Sequence, residues 1–499
     1  MKKWNILHRQ EPSRNDLMES MSIPEEIGQI LLNRGVETQD QVKMFTDPSL
    51  KYLRDPFQLK DMDRAVERMR RAISENEKIW IFGDYDVDGV SSTSIMILYF
   101  KSIGYPVDYY IPNRLEEGYG LNTEAIDHIA SKDGSLIITV DCGITSVKEV
   151  DYAKDLGIDV IITDHHECQE KLPDAYAVVD PKRDDSSYPF EGICGCGVAF
   201  KLIHALSGNE EFYRNINRYL EIVSLATICD IMPILDENRI IVKNGMEILG
   251  QGNNLGMQAL LEVCGLDGTK IKSSHLGFAI GPRINASGRL GFSKLGVELF
   301  TSDSLEEAKS LALMMDSKNT ERQEVKARIH MEVEDILSKD TSYRDDKVLV
   351  ISGKDWHHGI IGIVASKVTE KYYKPCILLC QDGDMAVGSA RSIKGFDIFS
   401  ALYECRDYMT KFGGHQQAAG MSMEVAKIAL LREKINKIAN YELNQEDLVE
   451  VIKVEYEIDQ ASLDLDLVEN LHILEPFGIK NPTPYFMMRN CLLKRLMPI

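Results

Sequence analysis

The stretch Ile79-Trp80-Ile81-Phe82-Gly83-Asp84-Tyr85-Asp86-Val87-Asp88-Gly89 decides the fold. Its first four residues form an apolar run too short for a helix, and the run stops at Gly83-Asp84. Similar runs stand at Val107–Ile111, Leu136–Val140, Val160–Ile162 and Ala177–Val179, with helical patterns around 91–103, 123–130 and 146–155 between them. Strands that are apolar on both faces and alternate with helices predict a parallel sheet with crossovers covering both sides. The fold class is therefore α/β.

Upstream, residues 1–75 read as a helical preface. Ser22-Ile23-Pro24-Glu25-Glu26 puts a proline near the first helical position and acids in the first turn. A second helix is expected from Asp61 to Ile73, with Val66, Met69 and Ile73 on one face. The sheet domain, bounded at 76–300, turns helical after Tyr188, through Ala199–Leu206 and Ile216–Ile228. Ser304-Leu305-Glu306-Glu307 has the spacing of a capping box and opens a charged helix reaching Leu337, a connector within 301–345 with one packed stripe.

A second α/β region, 346–445, begins with the strand Val348–Ile351 and a helix after Gly359. Strands at Cys376–Leu379 and Met385–Gly388 and helices near 397–408 and 424–440 follow. From Val451 to Tyr456 the residues alternate as a strand, then come a short helix to Leu474 and a strand pattern at Tyr485–Leu492. That is too little to bury a sheet, so 446–499 is expected to be the first portion of a third domain or an appendage packed on the others.

A length of 499 residues fits about three domains. With 78 acidic against 57 basic residues the formal net charge is -21, which argues against a chain coated in basic surface but leaves room for a basic groove. The ten cysteines form no dense framework, so a reducing, cytoplasmic setting is expected. Cys194-Gly195-Cys196 without a second spaced pair is weak support for zinc. No apolar stretch approaches the ~20 residues that span a bilayer, so no membrane association is expected.

The chemistry sits at strand ends. Asp84, Asp86 and Asp88 alternate beside two glycines, and three crowded carboxylates are costly unless cations neutralise them. Taken alone this is either a metal loop or an ordinary solvated strand-to-helix turn. A calcium-loop reading fails for want of flanking helices and a twelfth-position glutamate. Two further strand ends add to the signal: Leu136–Val140 runs into Asp141-Cys142-Gly143, and Val160–Thr163 runs into Asp164-His165-His166. A fourth acid, Asp230, follows the apolar run Ile222–Ile228. Carboxylates and imidazole without thiolate suit Mn²⁺ or Mg²⁺ better than Zn²⁺. There are enough of them for two ions about 3.5–4 Å apart, the arrangement of in-line phosphoryl chemistry.

Gly83–Gly89, Asp141–Gly143, Asp164–His166 and Asp230 resemble the four motifs of the DHH/DHHA1 phosphoesterase superfamily, and within it the RecJ-type exonucleases. Gly281–Arg289, Trp356–Gly362, Gly388–Ser392 and Phe412–Gly420 extend the resemblance along almost the whole chain. It implies a parallel-sheet DHH domain, a long connector helix, a DHHA1-like substrate domain and, from Val451 through Pro476–Pro482, the start of an oligonucleotide-binding (OB-like) barrel, incomplete at 499.

The activity implied is metal-dependent 5′-to-3′ exonuclease action on single-stranded DNA in repair and recombination. One ion would be held by Asp86 and Asp141 with Asp84 nearby, the other by Asp88, Asp141, His165 and Asp230, with Asp141 bridging. His166 would orient the scissile phosphate or the attacking water, and Asp164 would steady it. Many short-substrate relatives carry a histidine where this chain has Phe82, so Asp84 is expected to substitute as ligand.

By the same resemblance Arg114, Ser389, Arg391 and His415 would capture the 5′ phosphate, with His415 placed between glycines and a following helix. Arg283 and Arg289 would contact the backbone along the track. The substrate would run between the two domains, with helicase and single-strand-binding protein as partners. Two other readings stand beside this one: a DHH-type phosphoesterase acting on short oligonucleotides or small phosphorylated nucleotides, and a non-catalytic DNA-binding replication scaffold. The intact acids and histidines weigh against the scaffold.

Overall fold

In the computed structural model, which describes residues 2–7, 23–113, 117–118, 120–460 and 462–492, the preface is not wholly helical. It opens with a strand, β1 (Lys3–Ile6), before helices α1 (Glu25–Asn33), α2 (Gln39–Thr46) and α3 (Met62–Glu75). Thr38 caps α2 with a complete capping box, Gln41 reaching back to its backbone. Ser22 lies outside the described residues.

The chain divides into two units, one of Leu7–Lys318 with Val454–Ile499 and one of Met1–Ile6 with Asn319–Lys453. In the first, β2 (Ile79–Gly83), β3 (Asp108–Tyr110), β4 (Leu136–Val140), β5 (Asp159–Thr163) and β6 (Ala177–Val179) form a parallel sheet of order β3-β2-β4-β5-β6. Successive side chains serve opposite cores, as the period of two requires. Ile79, Ile81, Ile138 and Val140 join one with α4 (Val87–Ser102), while Trp80, Phe82, Ile137 and Ile162 join the other with α5 (Thr123–Ala130) and α6 (Val147–Asp155). Both faces are dry, which is why the runs read as continuous rather than alternating.

Helices α7 (Gly195–Ser207), α8 (Asn217–Cys229), α9 (Asp236–Ile248) and α10 (Gly281–Arg289) complete this unit. Arg239 on α9 is buried and takes backbone carbonyls as its acceptors. Its guanidinium donates to the carbonyls of Phe45 at 2.7 Å, Leu474 at 3.1 Å, Ile473 at 2.9 Å and Glu475 at 2.8 Å, and lies over the Phe45 ring. One side chain thus fastens the C-terminal segment to the helices.

Helix α11 (Leu305–Lys339) runs 35 residues without a break. Its packed stripe is Ala308, Ala312 and Met315 in the first unit and Val325, Ile329 and Val333 in the second. Ser304 accepts from the Glu307 N–H, but the Glu307 carboxylate takes a hydrogen bond from Ser302 instead of closing the box.

The second unit carries β7 (Leu349–Lys354), β8 (Cys376–Asp382), β9 (Met385–Arg391), β10 (Met409–His415) and β11 (Ala418–Glu424) in the order β10-β11-β9-β8-β7, with α12 (His358–Tyr372), α13 (Ile398–Glu404) and α14 (Ile428–Glu442). Only β7 and β8 are parallel. The expected single strand at 451–456 is in fact two: β12 (Val451–Val454) pairs with β1, and β13 (Tyr456–Glu457) pairs with β14 (Phe486–Met487). The strand pattern at Tyr485–Leu492 shortens to those two residues of β14. Among the described residues no helix is long and apolar enough to cross a membrane.

Candidate metal centre

The strand order turns back on itself between β2 and β4, and in open parallel sheets the crevice beyond such a switch is where ligands settle. Asp84 leaves the end of β2, Asp141 the end of β4 and Asp164-His165-His166 the end of β5. Asp230 caps the C-terminus of α8. The four segments converge. Ligand atoms lie within 4.8 Å of one another in three sets, Asp84–Asp86–Asp141, Asp88–His165–Asp230 and Asp141–His165–His166. His165 Nε2 faces Asp141 Oδ1 at 3.1 Å and the carboxylates of Asp88 and Asp230, each at 3.6 Å.

Backbone groups aim these side chains. Asp86 is the N-cap of α4, its Oδ1 accepting from the N–H of Asp88 at 2.8 Å and of Gly89 at 3.1 Å. Both oxygens of Asp88 accept from the first turn of α7, from Gly195 N at 2.7 Å and Cys196 N at 2.9 Å. Only glycine fits at 195, because a Cβ there would stand 2.5 Å from Asp141 Oδ1. Asp141 itself holds φ at 62°, a left-handed backbone that costs free energy in a non-glycine residue and that marks functional sites elsewhere. Asp164 does not face the cluster as a ligand. It accepts from the N–H of Ile144, His165 and His166 and pairs with His166 Nδ1 at 2.7 Å.

The site is electrostatically unbalanced. Burial, then the charges of Asp88, Asp86 and Asp230, hold the Asp141 carboxyl well above the usual range. Asp230 is pushed up to about 9, by burial first and then by Asp88 and Asp86. Burial lowers His165 and keeps it neutral, the ligating form, and among the described residues neither of its ring nitrogens makes a hydrogen bond. Burial alone would raise Asp164 and lower His166, but their mutual hydrogen bond wins: Asp164 falls below the usual range and His166 rises to about 9. Buried carboxylates around an imidazole without hydrogen bonds, with oxygen and nitrogen donors only, fit one or two hard divalent ions.

The thiol alternative does not hold. All ten cysteines are free; Cys194 accepts from the Gly197 N–H as the N-cap of α7, and Cys196 is buried in the core. No metal-ligand set among the described residues contains a cysteine.

The expected phosphate-binding residues fall in several places. Arg114 lies outside the described residues. Arg283 is engaged by Asp316 on α11 at 2.8 Å and by the Ala279 carbonyl at 2.7 Å. Arg289 ends α10 beside Gly288, where an added Cβ would meet the Tyr85 carbonyl at 2.3 Å. In the second unit Arg391, Ala418 and His415 are in register across β9, β11 and β10. Arg391 donates to Ser389 Oγ at 3.0 Å. His415 does not precede a helix; it ends β10 in a hairpin, exposed, so the chain turns there where a helix N-terminus was expected.

Three contributors were not anticipated. Gly195 was hidden in a cysteine pair. Asn285 accepts from the Val87 N–H at 3.3 Å and steadies the acid loop. Lys182 pairs with Glu167 at 3.0 Å, and its charge is felt by both His165 and Asp230. A cation three residues beyond a buried strand was the one available signal for Lys182; nothing local marks the other two.

Residues 78–227 match the DHH family N-terminal domain, 345–440 the DHHA1 domain and 454–499 the RecJ OB domain. The chain is 38% identical over 494 residues to the single-stranded-DNA-specific exonuclease RecJ of Bacillus subtilis, covering 99% of this chain and spanning 62% of the length of that relative. The Escherichia coli protein of the same name is 34% identical, with 95% of this chain and 85% of the relative covered. The crystal structure of RecJ from Thermus thermophilus in complex with Mn²⁺ superposes with a TM-score of 0.83 at 26% identity, over 97% of this chain and 69% of that one. A Mg²⁺ complex from the same source superposes at 0.76. Domain order, near full-length identity and superposition agree, and the chain belongs to the RecJ family.

Proposed function

We propose that this chain is a metal-dependent exonuclease that degrades single-stranded DNA from its 5′ end to nucleotides, in DNA repair and recombination. The observation that carries the reading is the meeting of Asp84, Asp86, Asp88, Asp141, His165 and Asp230 at one switch point, with Asp141 shared between two ligand sets. Two divalent ions, Mn²⁺ or Mg²⁺, when bound there, supply Lewis acidity and an activated water for phosphodiester hydrolysis.

The chain's own residues do the rest. His165 presents an uncharged ring to the cluster. His166, held through Nδ1 by Asp164, keeps a proton on Nε2 at neutral pH and offers it to a phosphate oxygen. Asp88 is locked by α7, so its carboxylate cannot swing away when substrate arrives. Ser389, Arg391 and His415 are the groups we assign to the 5′ phosphate, because they share a face at one end of the second sheet and a guanidinium fork suits a terminal phosphate.

Product analysis on end-labelled, 5′-phosphorylated single strands tests this, with Mn²⁺ or Mg²⁺ restored after chelation. Mononucleotides released progressively from the 5′ end are expected only with metal. Cleavage confined to strands under about five nucleotides would replace this reading with a short-oligonucleotide phosphoesterase.

A further inference from the structure

Two apolar side chains stand in solvent beside the carboxylate cluster. Ile231 follows Asp230 directly, is 65% exposed and holds φ at 61°. A β-branched residue in that backbone region is a true outlier, and such strain persists only where surrounding structure enforces it. Phe278 is 86% exposed, in the π-helical turn Leu276–Ile280 that leads into α10. Turns of this kind are rare and recur at functional sites.

The turn and α10 together flank the cluster. At one end the Cys229 thiol donates to the Leu276 carbonyl at 3.6 Å, which seats the turn on the end of α8 that carries Asp230. At the other end Gly288 meets Tyr85, and Asn285 accepts from Val87, so α10 lies against the loop of Asp84, Asp86 and Asp88. Phe278 and Ile231 therefore border the Asp230 side of the site.

We propose that Phe278, with Ile231 beside it, is a platform on which a nucleobase of the single strand stacks next to the scissile phosphate. An aromatic face accepts any base, which gives grip without sequence preference. Two side chains are far short of the about 800 Å² that a stable protein partner covers, whereas one base suits them. Stacking on this side supplies what a carboxylate cluster and an anionic backbone cannot supply for themselves, a contact indifferent to charge. The inference rests on the exonuclease reading: Phe278 and Ile231 position the substrate, and the metal cluster performs the cleavage.

The test uses the full chain with 5′-phosphorylated oligonucleotides. Phe278→Ala should raise KM about tenfold with a smaller fall in kcat, and Phe278→Trp should restore KM. In an Asp141→Ala background, a 2-aminopurine walked along the strand should be quenched at one position. That quench should vanish in Phe278→Ala and return in Phe278→Trp. An abasic site at that position should weaken binding to the Phe278 protein but not further weaken binding to Phe278→Ala. Equal KM for all three proteins, or an abasic penalty unchanged by the substitution, would overturn the platform and leave the face to a protein partner. If the unsubstituted protein cut no single strand at all, the exonuclease reading would fail instead, and the two failures are distinct.

Discussion

The two α/β units use the same ingredients to opposite ends. In the first, every strand is parallel and dry on both faces, and the acids are driven to the strand ends beyond β2, β4 and β5. In the second, β9, β10 and β11 are antiparallel, and β10 is an exposed edge whose residues are mostly open to solvent. The first sheet buries its chemistry among backbone N–H groups that fix each carboxylate. The second displays Ser389, Arg391 and His415 on an open surface. A cluster that must hold cations needs rigidity and a low dielectric. A phosphate clamp needs reach and access.

The contrast can be broken by substitution, with effects expected to fall from the first unit to the second. Asp141→Ala should lower kcat about a thousandfold or more, since it removes the carboxylate shared by two ligand sets, with several kcal/mol of metal-derived stabilisation at stake. DNA binding should change little. Single-turnover cleavage near the unsubstituted rate would defeat the shared role. Asp164→Asn should lower kcat roughly 10- to 100-fold, because it loosens His166 without removing a ligand. Its Mn²⁺ titration should shift much less than that of Asp141→Ala.

In the second unit, Arg391→Ala should raise KM about tenfold for 5′-phosphorylated strands and leave 5′-hydroxyl strands unaffected. Competition between the two kinds of strand measures this directly, and an equal loss for both would remove the phosphate clamp.

The smallest expected effect concerns stability. In the metal-free protein the Asp230 carboxyl is raised to about 9, so the folded chain holds a proton that the unfolded chain has released above its ordinary carboxylate range. The proton-linked stability is complete at low pH and is lost as pH rises through about 9. Metal-free Tm should therefore fall by a few degrees between mildly acidic and mildly alkaline buffers, and Mn²⁺ should erase the slope by taking the proton's place. A metal-free Tm that rose with pH over this window would contradict the burial of the cluster.

The same contrast explains what could be read from the sequence. Ile79–Phe82, Leu136–Val140 and Val160–Ile162 are continuous apolar runs because both faces are covered, and each points to the acid at its end. Met409–Glu424 offered no such run. Its residues alternate between exposure and partial burial, and its glycines invited a loop before a helix, where the chain makes a hairpin. Val451–Tyr456 alternates as one strand should, but periodicity does not name a partner, and β1 and β14 each claim part of it. Gly195 was illegible for another reason: its role is the absence of an atom, visible only once Asp141 lies against it.

Arg239 carries a last consequence. Similarity draws a border at residue 454, yet packing draws none there, because this guanidinium takes carbonyls from Ile473, Leu474 and Glu475 as its acceptors. Excising the segment would leave a cation sealed in oil with most of its hydrogen bonds gone, a far heavier cost than the contacts themselves return. The opening of the third domain is thus inherited with the first, and the two can be exchanged between relatives only as a matched pair.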